Sequence, residues 1–367
     1  LTAVPQVTVT VANDDRVSIT MSTDILSVTD STGANTATFT IRLGSQPTGP
    51  VTIPLLSDSV VCSVPSPQVI PAASWQTGVS VTVTAVPDNI DQGADRVCNI
   101  TGGDPSSPDP NYAALGPGNV PGIRVDVVND DTAGFVVTPT SLTITDTVGL
   151  NSATFTVRLT SQPPVTTTVT YTSGNPICTV SSIPAFTAAN WVAGEVVTVT
   201  TPANFVDGSN QTCALTASVS TTDEVYAAVT PTAVTVSVID DDTAGILRTN
   251  PVPTVISETL TAPNHTATFT VTLNSQPTGT VRIPISASSA NNVCSVAGNG
   301  PGGNSVDITT ANWQTGVLVT ITATVNNSAD PNQPCTISLG PVATNNQPVE
   351  YRGLSGTPVQ VDVLNDD

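Results

Sequence analysis

The chain has 367 residues, of which 38% are hydrophobic but only 4% aromatic, with 31 prolines and 25 glycines. All eight basic residues are arginine and the formal net charge is −20, which disfavours nucleic acid as a partner because phosphate backbones would be repelled. There is no run of 18 apolar residues to span a bilayer, and the many valines and threonines between turn residues predict an all-β fold of two to four domains.

The first 15 residues have the pattern of the last strand of a repeat, without the rest of that repeat. In PQVTVTVANDD, Val7, Val9 and Val11 alternate with polar residues, which is typical of a half-buried strand. The same pattern ends the chain as PVQVDVLNDD. Residues 1–15 therefore either complete an upstream repeat of a longer array or form a donor strand that inserts into a neighbouring subunit. Leu1 is not an initiator methionine, which indicates a processed chain or a segment of a longer one.

Three similar repeats follow, and we place them at residues 16–131, 132–242 and 243–367. Each contains an alternating segment such as TATFTIRL, in which Phe39, Ile41 and Leu43 face one way and Arg42 the other. Antiparallel pairing of such strands buries two apolar faces against each other. The sequence thus predicts an all-β protein of three tandem Ig-like antiparallel β-sandwich domains.

A tryptophan precedes a second recurring strand in each repeat, at Trp75, Trp191 and Trp313. We expect these side chains to fill the core at the start of the strand, in preference to stacking on a ligand. The glycine three residues later is expected to make the turn into that strand.

Six cysteines occur as two per repeat, at spacings of 36, 35 and 41 residues. No CxxC pair is present and His265 is the one histidine, so a zinc site is disfavoured. The repeat symmetry predicts one disulfide within each copy, which indicates an oxidising, extracytoplasmic location. The predicted pairs are Cys62 with Cys98, Cys178 with Cys213, and Cys294 with Cys335.

Acidic residues recur at three places in every repeat, and in a sandwich these places can meet at one end. Converging carboxylates suit Ca²⁺, which takes six to eight oxygen ligands. The alternative is that aspartates merely end strands and make turns. The candidate ligands are Asp30, Asp88, Asp91, Asp130 and Asp131 in the first repeat, Asp146, Asp207, Asp240, Asp241 and Asp242 in the second, and Glu258, Asp330, Asp366 and Asp367 in the third.

The closing DDDTAG (240–245), the NWVAGEVVTVT strand (190–200) and the early acid Asp146 resemble the Calx-β family of β-sandwich domains. The resemblance covers nearly the whole chain and implies calcium between tandem extracellular repeats of bacterial surface proteins. The acidic segment that the family carries between its middle strands is missing, and the first cysteine of each repeat occupies that region. Because the first repeat retains five aspartates, we expect it to be the best calcium site and the other two to bind weakly or not at all.

Asn99, Asn210 and Asn326 lie in Asn-X-Ser/Thr sequons and are candidate N-glycosylation sites, which we expect on one exposed loop of the repeat. One histidine, no lysine and no nucleophile motif predict that the chain is not an enzyme. We expect an extracellular shaft of a filament, stalk or large adhesin, with copies of itself or adjoining repeats as partners. The alternatives are a module that binds glycans or receptors through loops such as 101–112, and a calcium-controlled regulatory unit.

Overall fold

The computed structural model describes residues 4–12, 14–259, 263–326, 328–329 and 331–365, and strands dominate this part of the chain. Residues 4–12 form no strand, and Val4, Val7, Val9 and Val11 are all more than three-quarters exposed. Strand donation by residues 1–15 therefore remains a prediction. None of the helices within the described ranges has the length and apolar character needed to cross a membrane.

The first sandwich is built around the alternating segment at residues 36–43, where Phe39, Ile41 and Leu43 are buried and Arg42 is exposed. Its sheets have the strand orders β1-β3-β8-β6 and β2-β10-β9-β5, and β4 pairs with β7. The elements are β1 (Ile19–Met21), β2 (Ile25–Thr29), β3 (Thr36–Leu43), β4 (Val51–Ile53), β5 (Leu55–Ser57), β6 (Cys62–Ser63), β7 (Gln68–Ile70), β8 (Val79–Ala85), β9 (Arg96–Gly102), α1 (Pro110–Ala113) and β10 (Ile123–Val128), with 3-10 turns at Ala72–Ser74 and Pro117–Asn119.

The second sandwich repeats this arrangement with the sheets β11-β13-β16-β15 and β12-β18-β17-β14. Its core strand carries Phe155 and Val157, both buried. The elements are β11 (Phe135–Thr138), β12 (Ser141–Thr145), β13 (Ser152–Leu159), β14 (Thr168–Ser173), β15 (Thr179–Val180), β16 (Glu195–Thr200), β17 (Gln211–Ser220), α2 (Glu224–Ala227) and β18 (Val234–Ile239).

The third sandwich has the sheets β19-β21-β25-β23 and β20-β27-β26-β22-β24. Its elements are β19 (Ile246–Arg248), β20 (Val255–Ser257), β21 (Thr266–Leu273), β22 (Val281–Ser288), β23 (Cys294–Ala297), β24 (Ser305–Ile308), β25 (Val317–Ala323), β26 (Gln333–Leu339) and β27 (Gly356–Leu364), with 3-10 turns at Ala290–Asn292, Pro301–Gly303 and Val349–Tyr351. In every sandwich the last strand pairs in parallel with an early strand: β10 with β2, β18 with β12, and β27 with β20. One sheet of each sandwich is therefore mixed and the other is antiparallel, and the predicted all-β fold of Ig-like sandwiches is confirmed.

Each hydrophobic core takes its residues from one sandwich: residues 19–127, 133–238 and 246–363. These clusters lie inside the predicted repeats, whose boundaries remain predictions. A disulfide links the two sheets near each core. The bonds join Cys62 to Cys98, Cys178 to Cys213 and Cys294 to Cys335, over Cα–Cα distances of 6.3, 6.3 and 6.1 Å.

The tryptophans pack against the cores at the start of the strand, as predicted, but they lie at the rim and are only partly buried. Trp75, Trp191 and Trp313 are partly buried and pack against the cores. Each lies in the turn before a strand, outside the alternation of the sheet, and its carbonyl accepts a hydrogen bond from the neighbouring strand, as Leu43 N donates to Trp75 O at 3.0 Å. Gly78 closes this turn with φ of 77°, and a Cβ there would lie 2.3 Å from Ile41 O, so glycine is required.

The largest fully buried side chains are three tyrosines that were not among the residues predicted to form the core: Tyr112, Tyr226 and Tyr351. Each hydroxyl donates to the backbone carbonyl of a buried serine, at 2.7 Å to Ser45 and 2.6 Å to Ser161 in the first two repeats. The serine amide donates back to the same hydroxyl. This tyrosine clasp fixes the segment before the last strand to the SQP turn that follows the core strand. The recurrence of SQP and of a tyrosine before each last strand was a signal that could have revealed it.

Candidate metal centres

The strand pairing explains why acidic side chains converge at one end of each sandwich. Strands β2 and β10 run in parallel, so their carboxyl ends deliver Asp30 and the 129–131 segment to the same edge. The Asp30 amide donates to Val128 O at 3.1 Å, which fixes this register. The antiparallel strand β9 begins at the same edge with Arg96, opposite Val127. We call this end of the sandwich the pole.

The first pole cluster consists of Asp30, Asp88 and Asp131, whose carboxylates each offer an oxygen within 4.8 Å of the others. The guanidinium of Arg96 lies in it, and its Nη2 donates to Asp30 Oδ2 at 3.0 Å and to Asp88 Oδ2 at 2.9 Å. Asp30 is completely buried, and its other oxygen accepts the amide of Asp130 at 3.1 Å. A built-in cation therefore already bridges two of the three carboxylates.

The second pole cluster consists of Asp146, Asp241 and Asp242, again with one oxygen from each within 4.8 Å of the others. Gln211 occupies the register of Arg96, because it pairs with Val238 as Arg96 pairs with Val127. No arginine reaches this cluster among the described residues, and the nearest polar partner is Asn204, whose Nδ2 donates to Asp146 Oδ2 at 2.6 Å. A cleft of about 290 Å³ opens beside it, lined by residues that include Asp146, Asn204 and Gln211.

Two carboxylate oxygens of the second pole cluster, Asp146 Oδ1 and Asp242 Oδ2, are buried with no hydrogen-bond donor in the described part of the chain. Asp146 is only 6% exposed, so water does not readily replace the missing donor. A buried carboxylate normally has a donor or a cation as its partner. The first pole cluster also has one unpaired oxygen, Asp131 Oδ2, and a cleft of about 270 Å³ beside it. The clusters differ at the most buried carboxylate, because both oxygens of Asp30 have a donor whereas Asp146 Oδ1 has none.

Crowding of like charges changes the acidity of the clusters. Burial, reinforced by the neighbouring carboxylates, raises the pKa of Asp131 to about 6 and that of Asp242 to about 6. Burial and the Asp241 carboxyl raise the pKa of Asp146, and the hydrogen bond to Asp30 raises that of Asp130. A divalent cation would favour the ionised forms of these groups.

The remaining predicted ligands lie elsewhere. Asp91 and Asp207 accept the amides of Ala133 and Ala244, each at 2.8 Å, and thus contact the start of the next sandwich. Asp240 accepts the amide of Gly208 at 2.9 Å. In the third repeat, the buried Glu258 accepts a hydrogen bond from Asn326 at 3.2 Å. The other candidates of that repeat, Asp330, Asp366 and Asp367, lie outside the described residues.

The oxygens of the second pole cluster fit calcium. Two ligands of one Ca²⁺ ion are separated by at most about 5 Å, since each lies about 2.3–2.6 Å from the metal. The 4.8 Å limit on the three oxygens satisfies this condition. The open cleft and the exposed Asp241 leave space for the water ligands that calcium commonly retains.

The sequons do not share one exposed loop as expected. Asn99 lies within strand β9 and donates to the Asp58 carboxylate at 2.8 Å, whereas Asn210 accepts the amide of Asp240. Asn326 donates to Glu258, so its side-chain amide already has a buried partner.

The 101–112 loop is not a free binding loop either. Ser106 exchanges two backbone hydrogen bonds of 2.9 Å with Thr52, and Asp109 accepts the amide of Thr48 at 2.9 Å. Its last residue, Tyr112, is the tyrosine of the first clasp. The loop is therefore anchored along much of its length.

No known sequence family matches the chain, and no curated protein sequence matches it. Among solved structures, the chain is similar to the surface layer protein SbsC, domains 4–9 (15% identity, 96% of this chain and 47% of that chain, TM-score 0.27), so it spans about half of that fragment. It is also similar to the protocadherin gamma B7 extracellular cadherin domains 1–4 (11%, 95% and 76%, TM-score 0.39) and to CBD12 from CALX1.2 (12%, 63% and 99%, TM-score 0.28). At these scores the likeness concerns the class of tandem β-sandwich proteins alone.

Proposed function

We propose that the chain is a structural segment of an extracellular surface protein, a stiff shaft of three disulfide-bonded sandwiches with calcium at one pole. Extracytoplasmic placement is supported by the three disulfides, because such bonds persist in oxidising compartments. Copies of itself or adjoining repeats are the partners that this function requires. Catalysis is not part of the proposal.

The observation that carries this proposal is that both junctions between sandwiches use the same contacts. At the first junction, the amide of Gln162 donates to Asn89 O at 2.6 Å. At the second, the amide of Gln276 donates to Phe205 O at 2.6 Å. The amides of Ala133 and Ala244 add the equivalent bonds to carboxylates of the preceding sandwich. Repetition of one set of contacts favours a constant geometry from repeat to repeat, which is what a shaft needs.

Calcium is proposed for the second pole cluster, and this reverses the order that the sequence suggested. The expectation for the first repeat rested on its number of aspartates and did not include Arg96, which bridges Asp30 and Asp88. When bound, the ion would supply positive charge to the buried carboxylates of the second pole cluster. Asp146 and Asp242 would hold it with their orphaned oxygens, and Asp241 with its exposed carboxylate.

Small-angle scattering of the full chain in calcium tests the shaft. Three sandwiches of about 35–40 Å, from strands of about 10 residues, predict a maximum dimension on the order of 100–130 Å and the profile of a rod. A globular profile, or a broad distribution of sizes typical of freely jointed modules, would contradict the proposal. Glycan-array binding with selective hits would instead support the adhesin alternative.

A further inference from the structure

Arg96 and Gln211 occupy the same register position in the first two sandwiches. The residue beside this position differs between the two sandwiches together with it. Beside Arg96 stands Asp88, whereas beside Gln211 stands Asn204. Both partner residues begin the loop that runs from the tryptophan-led strand to the pole. A cationic side chain therefore occurs with a second carboxylate, and a neutral side chain with an amide.

We propose that Arg96 is a built-in substitute for the metal ion, so that the first pole cluster is closed to calcium and the second depends on it. This inference rests on the proposed calcium site and deepens it. The guanidinium donates to Asp30 and Asp88, so two of the three carboxylates that an ion would need already have a cationic partner, and Asp131 Oδ2 alone stays without a donor. Removing the guanidinium would leave the buried carboxylate of Asp30 without its ionic partner. Breaking such a buried ion pair costs more free energy than breaking an exposed one.

The second sandwich shows the same site without the substitute. Gln211 turns its Nε2 toward the carbonyl and hydroxyl of Ser209, at 3.2 and 3.4 Å, and so leaves the cluster. Gln211 and Asp146 both line the cleft of about 290 Å³. Asp146 is 94% buried, and its Oδ1 has no hydrogen-bond donor. Two carboxylates line this cleft, Asp146 and Asp240, and Asp241 and Asp242 complete the second pole cluster with Asp146.

The difference between the clusters extends to the junctions. Asp91 accepts a hydrogen bond from the Ala133 amide, and it belongs to the loop that Arg96 anchors through Asp88. Asp207 accepts a hydrogen bond from the Ala244 amide, and it belongs to the loop that Asn204 connects to Asp146. The junction between the first and second sandwiches should therefore keep its geometry without calcium. The junction between the second and third should tighten when the ion binds.

Reciprocal exchange of the two residues tests the proposal. Calorimetric titration of the chelator-treated full chain with calcium chloride gives the number of sites in wild type, Arg96→Gln and Gln211→Arg. We expect Arg96→Gln to gain one site and Gln211→Arg to lose one. Arg96→Lys, which keeps the positive charge, should gain none, and Arg124→Gln, which removes an exposed arginine paired with Asp126, should leave the number unchanged.

Hydrogen exchange provides a readout that does not depend on counting sites. Calcium should slow exchange of the Ala244 amide in wild type and leave that of Ala133 unchanged, whereas in Arg96→Gln it should slow both. If wild type binds calcium but Arg96→Gln gains no site while its circular dichroism stays native, the proposal about Arg96 is wrong and the calcium site stands. A wild-type chain that binds no calcium overturns both. If Arg96→Gln does not fold, loss of a site in folded Gln211→Arg decides the matter, and retention of that site contradicts the proposal.

Discussion

Asp131 and Asp242 close the pole clusters of the first two sandwiches, and each retains its proton at a pH where an ordinary aspartate has lost it. Burial is the first cause and the surrounding carboxylates are the second. The pKa of both side chains is about 6 in the folded chain, against a usual value of 3.8. Between these values the folded chain binds more protons than the unfolded chain, so acidification stabilises the fold.

We therefore predict that the metal-free protein melts at a higher temperature at pH 5 than at pH 7. The gain should be complete near the unfolded pKa of about 4 and should be lost as pH rises through about 6. Thermal melting in chelator across this range measures it, and Asp242→Asn should flatten part of the slope. Saturating calcium should reverse the trend, because bound metal requires ionised carboxylates. A melting temperature that falls steadily from pH 7 to pH 5 in chelator would contradict the assigned pKa values.

At the scale of elements, the tyrosine clasp connects the segment before the last strand to the turn after the core strand. In the second repeat, the hydroxyl of Tyr226 donates to Ser161 O and lies within hydrogen-bond distance of the Ser161 amide and hydroxyl. Ser161 is fully buried, so none of its polar groups can turn to water. The clasp thus holds α2 against the core and sets the position from which β18 starts.

Replacing Tyr226 with phenylalanine should lower the free energy of unfolding of the second repeat by about 1–3 kcal/mol, because buried polar groups of Ser161 lose their partner. Tyr171→Phe is the matched control, since its hydroxyl makes one bond of 2.7 Å, to the carbonyl of the exposed Thr232, and should cost about 0.5–1.5 kcal/mol. Urea unfolding with hydrogen exchange in the 152–161 segment measures both. Equal losses in the two variants would show that the clasp adds nothing beyond an ordinary hydrogen bond.

The strands and the clasp differ in how far the sequence could predict them. Strict alternation predicted the core strands, because the side-chain period of a strand is local and needs no partner to be visible. The clasp joins residues 65 positions apart, and the ion pair of Arg96 with Asp30 joins residues 66 apart. Such pairs become visible only when the strands are in register. Counting aspartates therefore located the pole clusters but did not reveal the contact of Arg96 with the first one.

At the scale of the whole molecule, stiffness depends on a few contacts at each junction. Asp91 accepts the amides of Gly93 and Ala133 and the side-chain amide of Asn129, at 2.7, 2.8 and 3.0 Å. It thereby fixes its own loop and the first residues of the next sandwich at once. Asp95, four residues later, accepts the amide of Asn129 at 3.0 Å and thus contacts its own sandwich.

Substituting Asp91 with alanine should therefore loosen the first junction, whereas Asp95→Ala, with the same loss of charge in the same loop, should leave it intact. Small-angle scattering should show a shorter mean dimension and a broader distance distribution for Asp91→Ala, because the first sandwich then samples several angles relative to the second. Both variants should keep the circular dichroism of folded sandwiches, since neither carboxylate is part of a core. If the scattering profile of Asp91→Ala matches that of wild type and of Asp95→Ala, the stiffness of the first junction comes from the remaining backbone contact between Gln162 and Asn89 and not from the carboxylate.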